Sequence, residues 1–256
     1  MFDLSGQYAI VTGGSRGLGS YMARALARAG TDLIITARNA ADCAETETAI
    51  REIGRDVRSY SLDVRKQESI REFAASVAAD RLKPSILVNN AGCNVRKPFL
   101  EVTWDDWNTV LETNLRGTYF VCQAIAPQMI DDGYGRIVNI GSVTSVFGYA
   151  GLGPYCASRG GVLQLTRSLA DELGPHGITA NVLAPGWFRT EQNKVLYENA
   201  EWLEYLVDRI PVKRPGQPTD LDGAVVFLSS HEAEYVTGQI LLVDGGISTG
   251  ATRATV

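Results

Sequence analysis

The stretch YAIVTGGSRGLGSYMARALAR, residues 8–28, decides the fold of this chain. It opens with a short apolar run from Tyr8 to Val11, passes through a glycine-rich turn and continues as a helical pattern from Leu18 to Arg28. A strand, a glycine turn and a helix in that order make a phosphate cradle. The glycines let the backbone approach a pyrophosphate, and the helix N-terminus offers it unpaired N–H groups. The spacing is G-x-x-x-G-x-G, and a plain tight turn is the alternative explanation of the glycines alone.

The cradle and the next strand together predict the cofactor. The positions expected around its phosphates are Gly13, Ser15, Arg16, Gly17, Leu18 and Gly19. The second predicted strand, Asp32 to Thr36, runs into Arg38 instead of the acidic residue that usually takes the ribose 2′-hydroxyl of NAD. Arg16 and Arg38 can bracket a 2′-phosphate, so the sequence favours NADP(H) over NAD(H). Simple solvation of both arginines is the alternative.

Strands and helices keep alternating after the cradle. The next predicted elements are a helix over 40–53, a strand over 57–62, a helix over 67–79 and a strand over 86–89. This alternation is typical of βαβ units and predicts a parallel sheet with helices on both faces. Asp63 and the run Asn89-Asn90-Ala91-Gly92 follow the carboxyl ends of two strands, the edge at which such sheets bind ligands.

Composition and charge exclude several classes of function. The 256 residues, 45% of them hydrophobic, are enough for one large core, so one domain is expected. A net charge of −5 without a basic run argues against nucleic acid, and no apolar run is long enough to cross a membrane. Four cysteines without a C-x-x-C pair, and with no signal-peptide pattern before them, predict buried thiols in a reducing cytoplasm. Two histidines leave little for a zinc site or a Ser-His-Asp triad, and no metal is expected.

A second informative stretch is SVTSVFGYAGLGPYCASR, residues 142–159. Tyr155 and Arg159 lie four apart and so share one face of a predicted helix, which Pro154 suits as a first turn. At roughly 6 Å and an effective dielectric near 20, the guanidinium favours the phenolate by about 3 kcal/mol. Such a tyrosine can act as general acid for a carbonyl oxygen or general base for an alcohol, with Ser142 giving a second hydrogen bond. An isolated pair of this kind is more often a core tyrosine beside a surface arginine.

Taken together, the motifs resemble those of the short-chain dehydrogenase/reductase family, in the order that the family uses. They are TGGSRGLG at 12–19, Asp63-Val64, NNAG at 89–92, Asn114, Ser142, Tyr155 and PGWFRT at 185–190. The match extends from about Leu4 to Gly246. The resemblance implies a Rossmann fold with a seven-stranded parallel sheet, in which residues 1–256 form a single dinucleotide-binding oxidoreductase domain. It also implies a homotetramer built through the long helices and the last strand.

The resemblance also implies further cofactor contacts. Asp63 and Val64 are expected at the adenine ring, and Asn90, Ala91 and Gly92 along the cofactor. The residues expected near the nicotinamide carboxamide are Pro185, Gly186, Phe188 and Thr190. Tyr155 and Arg159 are expected at the nicotinamide ribose.

The family's catalytic tetrad corresponds to Asn114, Ser142, Tyr155 and a lysine, and this chain departs from it by carrying Arg159 in place of the lysine. In the family that lysine binds the ribose hydroxyls, favours the tyrosinate and helps pass protons through a water held by the asparagine. Arginine can supply the first two contributions but keeps its proton too firmly to relay one. We therefore expect an active enzyme with an altered proton relay, the alternative being an inactive descendant that only binds the cofactor.

Two loops predict the substrate. Arg96 and Lys97 follow NNAG on the expected substrate side and can hold a carboxylate, although a solvated pair is the commoner case. Trp187 opens a segment, about 187–210, that the resemblance makes a lid. Its aromatic residues fit either helices over the pocket or packing against the sheet or a neighbouring subunit. The loop with Arg96 and the stretch DRIPVKRPGQP at 208–218 are most similar to those of family members that act on gluconate and related sugar acids.

The expected reaction is thus the NADP(H)-dependent interconversion of a secondary alcohol and a ketone on a sugar acid such as gluconate or 5-ketogluconate. Reduction of acyl-thioesters or neutral ketones is one alternative, and a non-catalytic NADP-binding protein is another.

One further helix is predicted to begin after Thr103. Asp105 and Asp106 fall in its first turn, where the helix dipole favours acids, so we interpret both as structural. Trp104 and Trp107 are three apart and are expected to pack rather than to do chemistry.

Overall fold

The computed structural model describes residues 2–190 and 194–250. Its strands are β1 Tyr8–Val11, β2 Asp32–Ala37, β3 Val57–Ser61, β4 Pro84–Asn89, β5 Gly135–Ile140, β6 Ile178–Pro185 and β7 Ile240–Val243. Its α-helices are α1 Gly17–Arg28, α2 Ala44–Glu52, α3 Gln67–Ala79, α4 Trp104–Leu111, α5 Gly117–Asp132, α6 Gly153–Leu173, α7 Lys194–Glu198, α8 Ala200–Arg209 and α9 Asp222–Ser229.

All seven strands are parallel, in the order β3-β2-β1-β4-β5-β6-β7, which confirms the predicted Rossmann fold. Val11 at the end of β1 pairs with Ile35 of β2 on one side and with Val88 of β4 on the other. The chain order of the strands reverses between β1 and β4. The crevice that ligands use in such sheets therefore opens at the carboxyl ends of these two strands.

Helices cover both faces of the sheet, as predicted. Val138 and Ile140 of β5 pack into the core under α1 and α9, whereas Ile137, the residue before Val138, packs into the core under α3 and α5. Because both faces are covered, the central strands are continuous apolar runs and not alternating ones. This rigid double layer holds the loops at the carboxyl edge in place.

The elements predicted up to residue 89 agree with the structure to within two residues, except at one helix start. The helix predicted over 40–53 begins as a 3-10 turn at 40–43. The helix predicted to begin after Thr103 is α4, and one π-helical turn, Glu112–Arg116, joins it to α5 and contains Asn114. A π turn inserts one extra residue per turn, a change that apolar periodicity does not reveal.

The start of α4 shows which polar residues are structural. Thr103 Oγ1 accepts from the backbone N–H of Asp106 (3.1 Å), and the Asp106 carboxylate accepts from the backbone N–H of Thr103 (2.9 Å), a capping box. The packing expectation fails for Trp107, which is 43% exposed, and more clearly for Trp104, which is 80% exposed. The helical spacing was correct, but α4 turns this residue away from the chain's own core.

Two further expectations concern cysteines and membranes. All four cysteines are free thiols, but only Cys43 and Cys122 are buried, while Cys93 and Cys156 are partly exposed. Within residues 2–190 and 194–250, no helix combines the length and apolar character needed to cross a bilayer.

Candidate active site

A cleft of about 990 Å³ lies at the carboxyl edge of the sheet, where the loops after β1 to β6 meet. The predicted cofactor residues that line it are Gly13, Ser15, Arg16, Gly17, Leu18, Gly19, Arg38, Asp63, Val64, Asn90, Ala91, Gly92, Tyr155, Arg159, Pro185, Gly186, Phe188 and Thr190. Ser142, Arg96 and Trp187 line it as well. The cleft thus brings together side chains that are up to 177 residues apart in the sequence, but it does not include Asn114 or Lys97.

The glycine turn is shaped to admit a phosphate group. Gly13 and Gly17 adopt left-handed backbone with φ of +62° and +56°, and a Cβ on Gly19 would stand 2.3 Å from the Gly13 carbonyl oxygen. Helix α1 begins at Gly17 without a side-chain cap and without an acidic residue in its first turn. Its first N–H groups and positive dipole end are therefore available to an anion, and the cradle fits a dinucleotide pyrophosphate.

Asn90 braces this turn. Its Nδ2 donates to the carbonyl oxygens of Thr12 (3.0 Å) and Gly13 (3.1 Å), while Thr12 Oγ1 accepts from the backbone N–H groups of Asn90 and Ala91, each at 3.0 Å. The loops after β1 and β4 are thereby fastened to each other. Thr12 was not among the residues predicted for the site, although its position between the first strand and the glycines indicated it.

Two exposed arginines line the cleft. They are Arg16 and Arg38, and Asp42 and Glu45 line it as well. Within the described part of the chain, neither arginine takes part in an ion pair. Both guanidinium groups are thus open to an anionic ligand.

Asp63, at the end of β3, is tied to Arg65. The Asp63 carboxylate accepts from the backbone N–H of Arg65 (3.1 Å) and from its Nε (3.4 Å). Burial raises the pKa of Asp63, but the hydrogen bonds and charge of Arg65 outweigh it and hold the pKa below its usual value. Arg65 also lines the cleft, which the sequence argument did not foresee.

Helix α6 presents Tyr155 and Arg159 together, as their spacing predicts. The Arg159 guanidinium carbon lies 5.1 Å from the centroid of the Tyr155 ring, and its Nη1 donates to the Ile140 carbonyl oxygen at 2.6 Å. Arg159 is only 5% exposed, and its Nε has no hydrogen-bond partner among the described residues. A buried cation is thus fixed over the Tyr155 ring.

Ser142 follows β5 and caps a 3-10 turn over Val143–Ser145. Its Oγ accepts from the backbone N–H of Thr144 at 3.1 Å. A hydroxyl has one donor and two acceptor positions, so this bond leaves the O–H of Ser142 able to donate to a substrate oxygen.

Asn114 lies in the π turn and is fully buried. Its Oδ1 accepts from the backbone N–H of Cys93 (2.8 Å), and its Nδ2 donates to the Cys93 carbonyl (3.0 Å) and to Ser158 Oγ (3.0 Å). Both amide hydrogens are used within the protein. Any water that Asn114 holds would therefore have to bind through its oxygens.

The two cations after NNAG have different surroundings. Lys97 Nζ lies 2.6 Å from the Asp106 carboxylate and does not line the cleft, so its predicted role at a substrate carboxylate is not supported by the structure. Lys97 forms an ion pair with Asp106 instead, because the first turn of α4 places this carboxylate next to it. Arg96 lines the cleft, with its guanidinium carbon 5.6 Å from the Tyr149 ring and 5.8 Å from the Trp187 ring.

Aromatic side chains close the substrate side. Trp187 contacts Tyr149 and Trp202 edge to face, at ring separations of 5.2 and 5.7 Å. Tyr197, Leu206 and Ile210 are buried in the same cluster, and burial raises the pKa of Tyr197 to about 12. Residues 191–193 of the predicted lid lie outside the described residues. Trp187, Tyr197 and Trp202 thus pack on one another, whereas Phe188 is buried in the core on one face of the sheet.

Three comparisons with known proteins bear on this geometry. A family model described as enoyl-(acyl carrier protein) reductase matches residues 13–248. The gluconate 5-dehydrogenase of Gluconobacter oxydans (strain 621H) is 40% identical over 248 residues, covering 97% of both chains. The 5-keto-D-gluconate 5-reductase of Escherichia coli (strain K12) is 34% identical and covers 96% of this chain and 97% of its own.

A solved structure is similar throughout. It is a gluconate 5-dehydrogenase from Burkholderia cenocepacia J2315 in complex with NADP and tartrate, 39% identical, with a TM-score of 0.94 over 98% of each chain. The similarity therefore covers the loops of the cleft as well as the sheet.

Proposed function

This chain belongs to the short-chain dehydrogenase/reductase family, and we propose that it interconverts a secondary alcohol and a ketone on a sugar acid, such as gluconate and 5-ketogluconate, with NADP(H). The observation that carries the proposal is the meeting of Ser142, Tyr155 and Arg159 in the same cleft as the glycine cradle. A dinucleotide site next to an acid–base tyrosine is the arrangement that hydride transfer to a carbonyl requires.

The proposed roles follow from the contacts. Bound NADP(H) supplies or accepts the hydride. In alcohol oxidation Tyr155 takes the hydroxyl proton, and in ketone reduction it returns a proton to the oxygen. Ser142 donates a hydrogen bond to that oxygen, and Arg159 holds the tyrosinate and the nicotinamide ribose. Asn114 braces the loop after β4.

Two arginines support NADP(H) over NAD(H). Arg16 and Arg38 are exposed and line the cleft, and a ribose 2′-phosphate accepts charge-assisted hydrogen bonds from guanidinium groups. The Burkholderia cenocepacia relative, which is similar over 98% of its chain, was crystallised with NADP.

The substrate class is supported by one cation and by the names of the relatives. Arg96 lines the cleft beside the Tyr149 and Trp187 rings and can hold a carboxylate. The relatives described above are named for gluconate and 5-ketogluconate, and one was crystallised with tartrate, a small hydroxy acid. Reduction of enoyl thioesters is the second candidate, because the matching family model carries that description.

The test is NADPH oxidation followed at 340 nm with 5-ketogluconate, a neutral diketone and an enoyl thioester. We expect turnover of the keto acid at least ~10-fold above the others, since only the acid can use Arg96. Turnover of the thioester alone would replace this proposal with the second candidate.

The same assay on Arg159→Lys decides whether the departure from the family tetrad preserves activity. The guanidinium already contacts the Ile140 carbonyl and the Tyr155 ring, so we expect the natural protein to turn over and the lysine variant to be similar or slower. If only the lysine variant turns over, the natural chain is a cofactor-binding protein without activity.

The proposal includes a cytoplasmic homotetramer and a lid over about 187–210. Phe99, Leu100 and Trp104 are 80–91% exposed, an apolar group of side chains suited to a subunit contact. The aromatic cluster around Trp187 supports the lid. Light scattering on the purified protein measures the subunit number, and a monomer at micromolar concentration would contradict the tetramer.

A further inference from the structure

Ser158 stands one residue before Arg159 on α6, is fully buried and joins two parts of the proposed site. Its Oγ donates to the Tyr155 carbonyl oxygen at 2.8 Å and accepts from Nδ2 of Asn114 at 3.0 Å. The first bond is common for a serine inside a helix. The second bond links α6 to the π turn, 44 residues earlier in the chain, and is not explained by local structure.

The link through Ser158 belongs to a closed path around the site. Asn114 holds both backbone polar groups of Cys93, and Gly92 comes directly before Cys93. A Cβ on Gly92 would stand 2.5 Å from Nη2 of Arg159, so the guanidinium lies directly against this glycine.

The other end of the guanidinium closes the path. Nη1 of Arg159 donates to the carbonyl oxygen of Ile140, two residues before Ser142. The guanidinium is thus held between the loop after β4 and the end of β5. Because the guanidinium is planar and rigid, it makes both contacts only when the loop after β4 and the end of β5 are at the right distance from each other.

We infer that Ser158 is a positioning residue for the proposed reaction. Through Asn114 and Cys93 it keeps Gly92 at the distance from α6 that the arginine needs, and so keeps Arg159 against the Tyr155 ring. The inference rests on the proposed function, because it assigns the residue a role in that reaction. Ser158 acts only through its neighbours and does not line the cleft.

Helix α6 offers a matched control in Thr166. This hydroxyl is also fully buried, donates to the Val162 carbonyl at 2.7 Å and accepts from Nδ2 of Asn139 at 2.9 Å. Thr166 makes the same two kinds of bond about two turns further along the helix and does not line the cleft. Ser158→Ala and Thr166→Val each remove one such hydroxyl.

The test compares both variants in three measurements: kcat, the pH profile of alcohol oxidation and the dissociation constant for NADPH. We expect Ser158→Ala to lower kcat by ~10- to 100-fold and to weaken NADPH binding severalfold, because a displaced cation misplaces the reacting groups. The acidic limb of its pH profile should move to higher pH, since the phenolate loses its partner. Thr166→Val should lower the melting temperature but leave kcat and the dissociation constant for NADPH within about twofold of the natural protein, and the pH profile unchanged.

Ser158→Cys serves if the alanine variant does not fold, because the thiol keeps weak hydrogen bonding and should retain intermediate activity. If Ser158→Ala and Thr166→Val change the three measurements equally, or if neither changes them, the inference is wrong while the proposed function stands. If the natural protein turns over no substrate but Ser158→Ala still weakens NADPH binding, the proposed function is wrong, and Ser158 positions Arg159 for cofactor binding alone. No turnover and unchanged binding would overturn both.

Discussion

The two sides of the cleft are built differently. On the cofactor side the shape comes from backbone, with left-handed glycines braced by Asn90 and an uncapped helix start. On the substrate side the shape comes from side chains, with Arg96 held against Tyr149 and Trp187.

This difference between backbone and side chains indicates which side of the cleft determines substrate specificity. A backbone cradle tolerates no added atoms and binds one kind of group, a phosphate, whatever else the ligand carries. A wall of aromatic and charged side chains can change with the substrate while the fold stays the same. Mutations in the glycine cradle should therefore damage cofactor binding broadly, and mutations of side chains that line the cleft should change the preference among ligands.

The largest effect is expected for Gly19→Ala. The new methyl would stand 2.3 Å from the Gly13 carbonyl and 2.4 Å from Asn90 Nδ2, so the turn must move. We expect NADPH binding to weaken roughly 100-fold and stability to fall by about 1–3 kcal/mol, measured by fluorescence titration and urea unfolding. Gly160→Ala is the control, because nothing lies within 4 Å of its Cβ position in α6, and it should raise stability by about 0.5–1 kcal/mol. Equal NADPH binding by Gly19→Ala and Gly160→Ala would show that the backbone at Gly19 does not shape the cofactor site.

Arg38→Ala should have the next largest effect and should discriminate between cofactors. We expect NADPH binding to weaken ~10-fold while NADH binding stays within about twofold, because only NADPH carries the 2′-phosphate. Isothermal titration with both nucleotides measures this. Arg71→Ala, an exposed arginine on α3, is the control. An equal loss for NADPH and NADH would refute the assigned phosphate contact.

On the substrate side, Arg96→Ala should raise KM for 5-ketogluconate by about 5- to 10-fold and leave NADPH binding unchanged. Arg96 is exposed, so its ion pair with a carboxylate is partly screened and the effect is modest. Steady-state kinetics with the keto acid and with a neutral ketone show whether Arg96 recognises the carboxylate or only shapes the pocket. A similar rise in KM for the neutral ketone would show that Arg96 shapes the pocket without reading charge.

The smallest effect is expected for Lys97→Ala, the neighbour outside the cleft. KM should stay unchanged, and the melting temperature at neutral pH should fall by about 2 °C or less, because the ion pair lies near the surface and is only partly buried. The Lys97 and Thr103 hydrogen bonds lower the pKa of Asp106 from 3.8 to about 2.

A carboxyl group with a lowered pKa stabilises the fold above pH ~4 and loses that contribution as the pH falls towards 2. Thermal unfolding between pH 2 and 5 should therefore show a shallower loss of stability for Lys97→Ala than for the natural protein. Parallel curves for the two proteins would contradict the pairing of Lys97 with Asp106.

Much of the cofactor side was predictable because its determinants are local. The glycines, Arg38, Asp63 and Tyr155 each follow a strand or begin a helix, so their place at the carboxyl edge follows from chain order alone. The fate of Lys97 was not predictable, because it depends on where α4 brings Asp106.

The sequence by itself determined the order of strands and helices, the phosphate cradle and the pairing of Tyr155 with Arg159, since these depend on neighbours within a few residues. The tertiary structure alone decided that the Asn114 amide hydrogen-bonds to Cys93 and Ser158. It also decided that Thr12 joins the loops after β1 and β4, and that Arg96 rather than Lys97 lines the cleft. The physical reason is that hydrogen bonds and ion pairs between distant segments require the packed sheet to bring their partners within about 3 Å of each other.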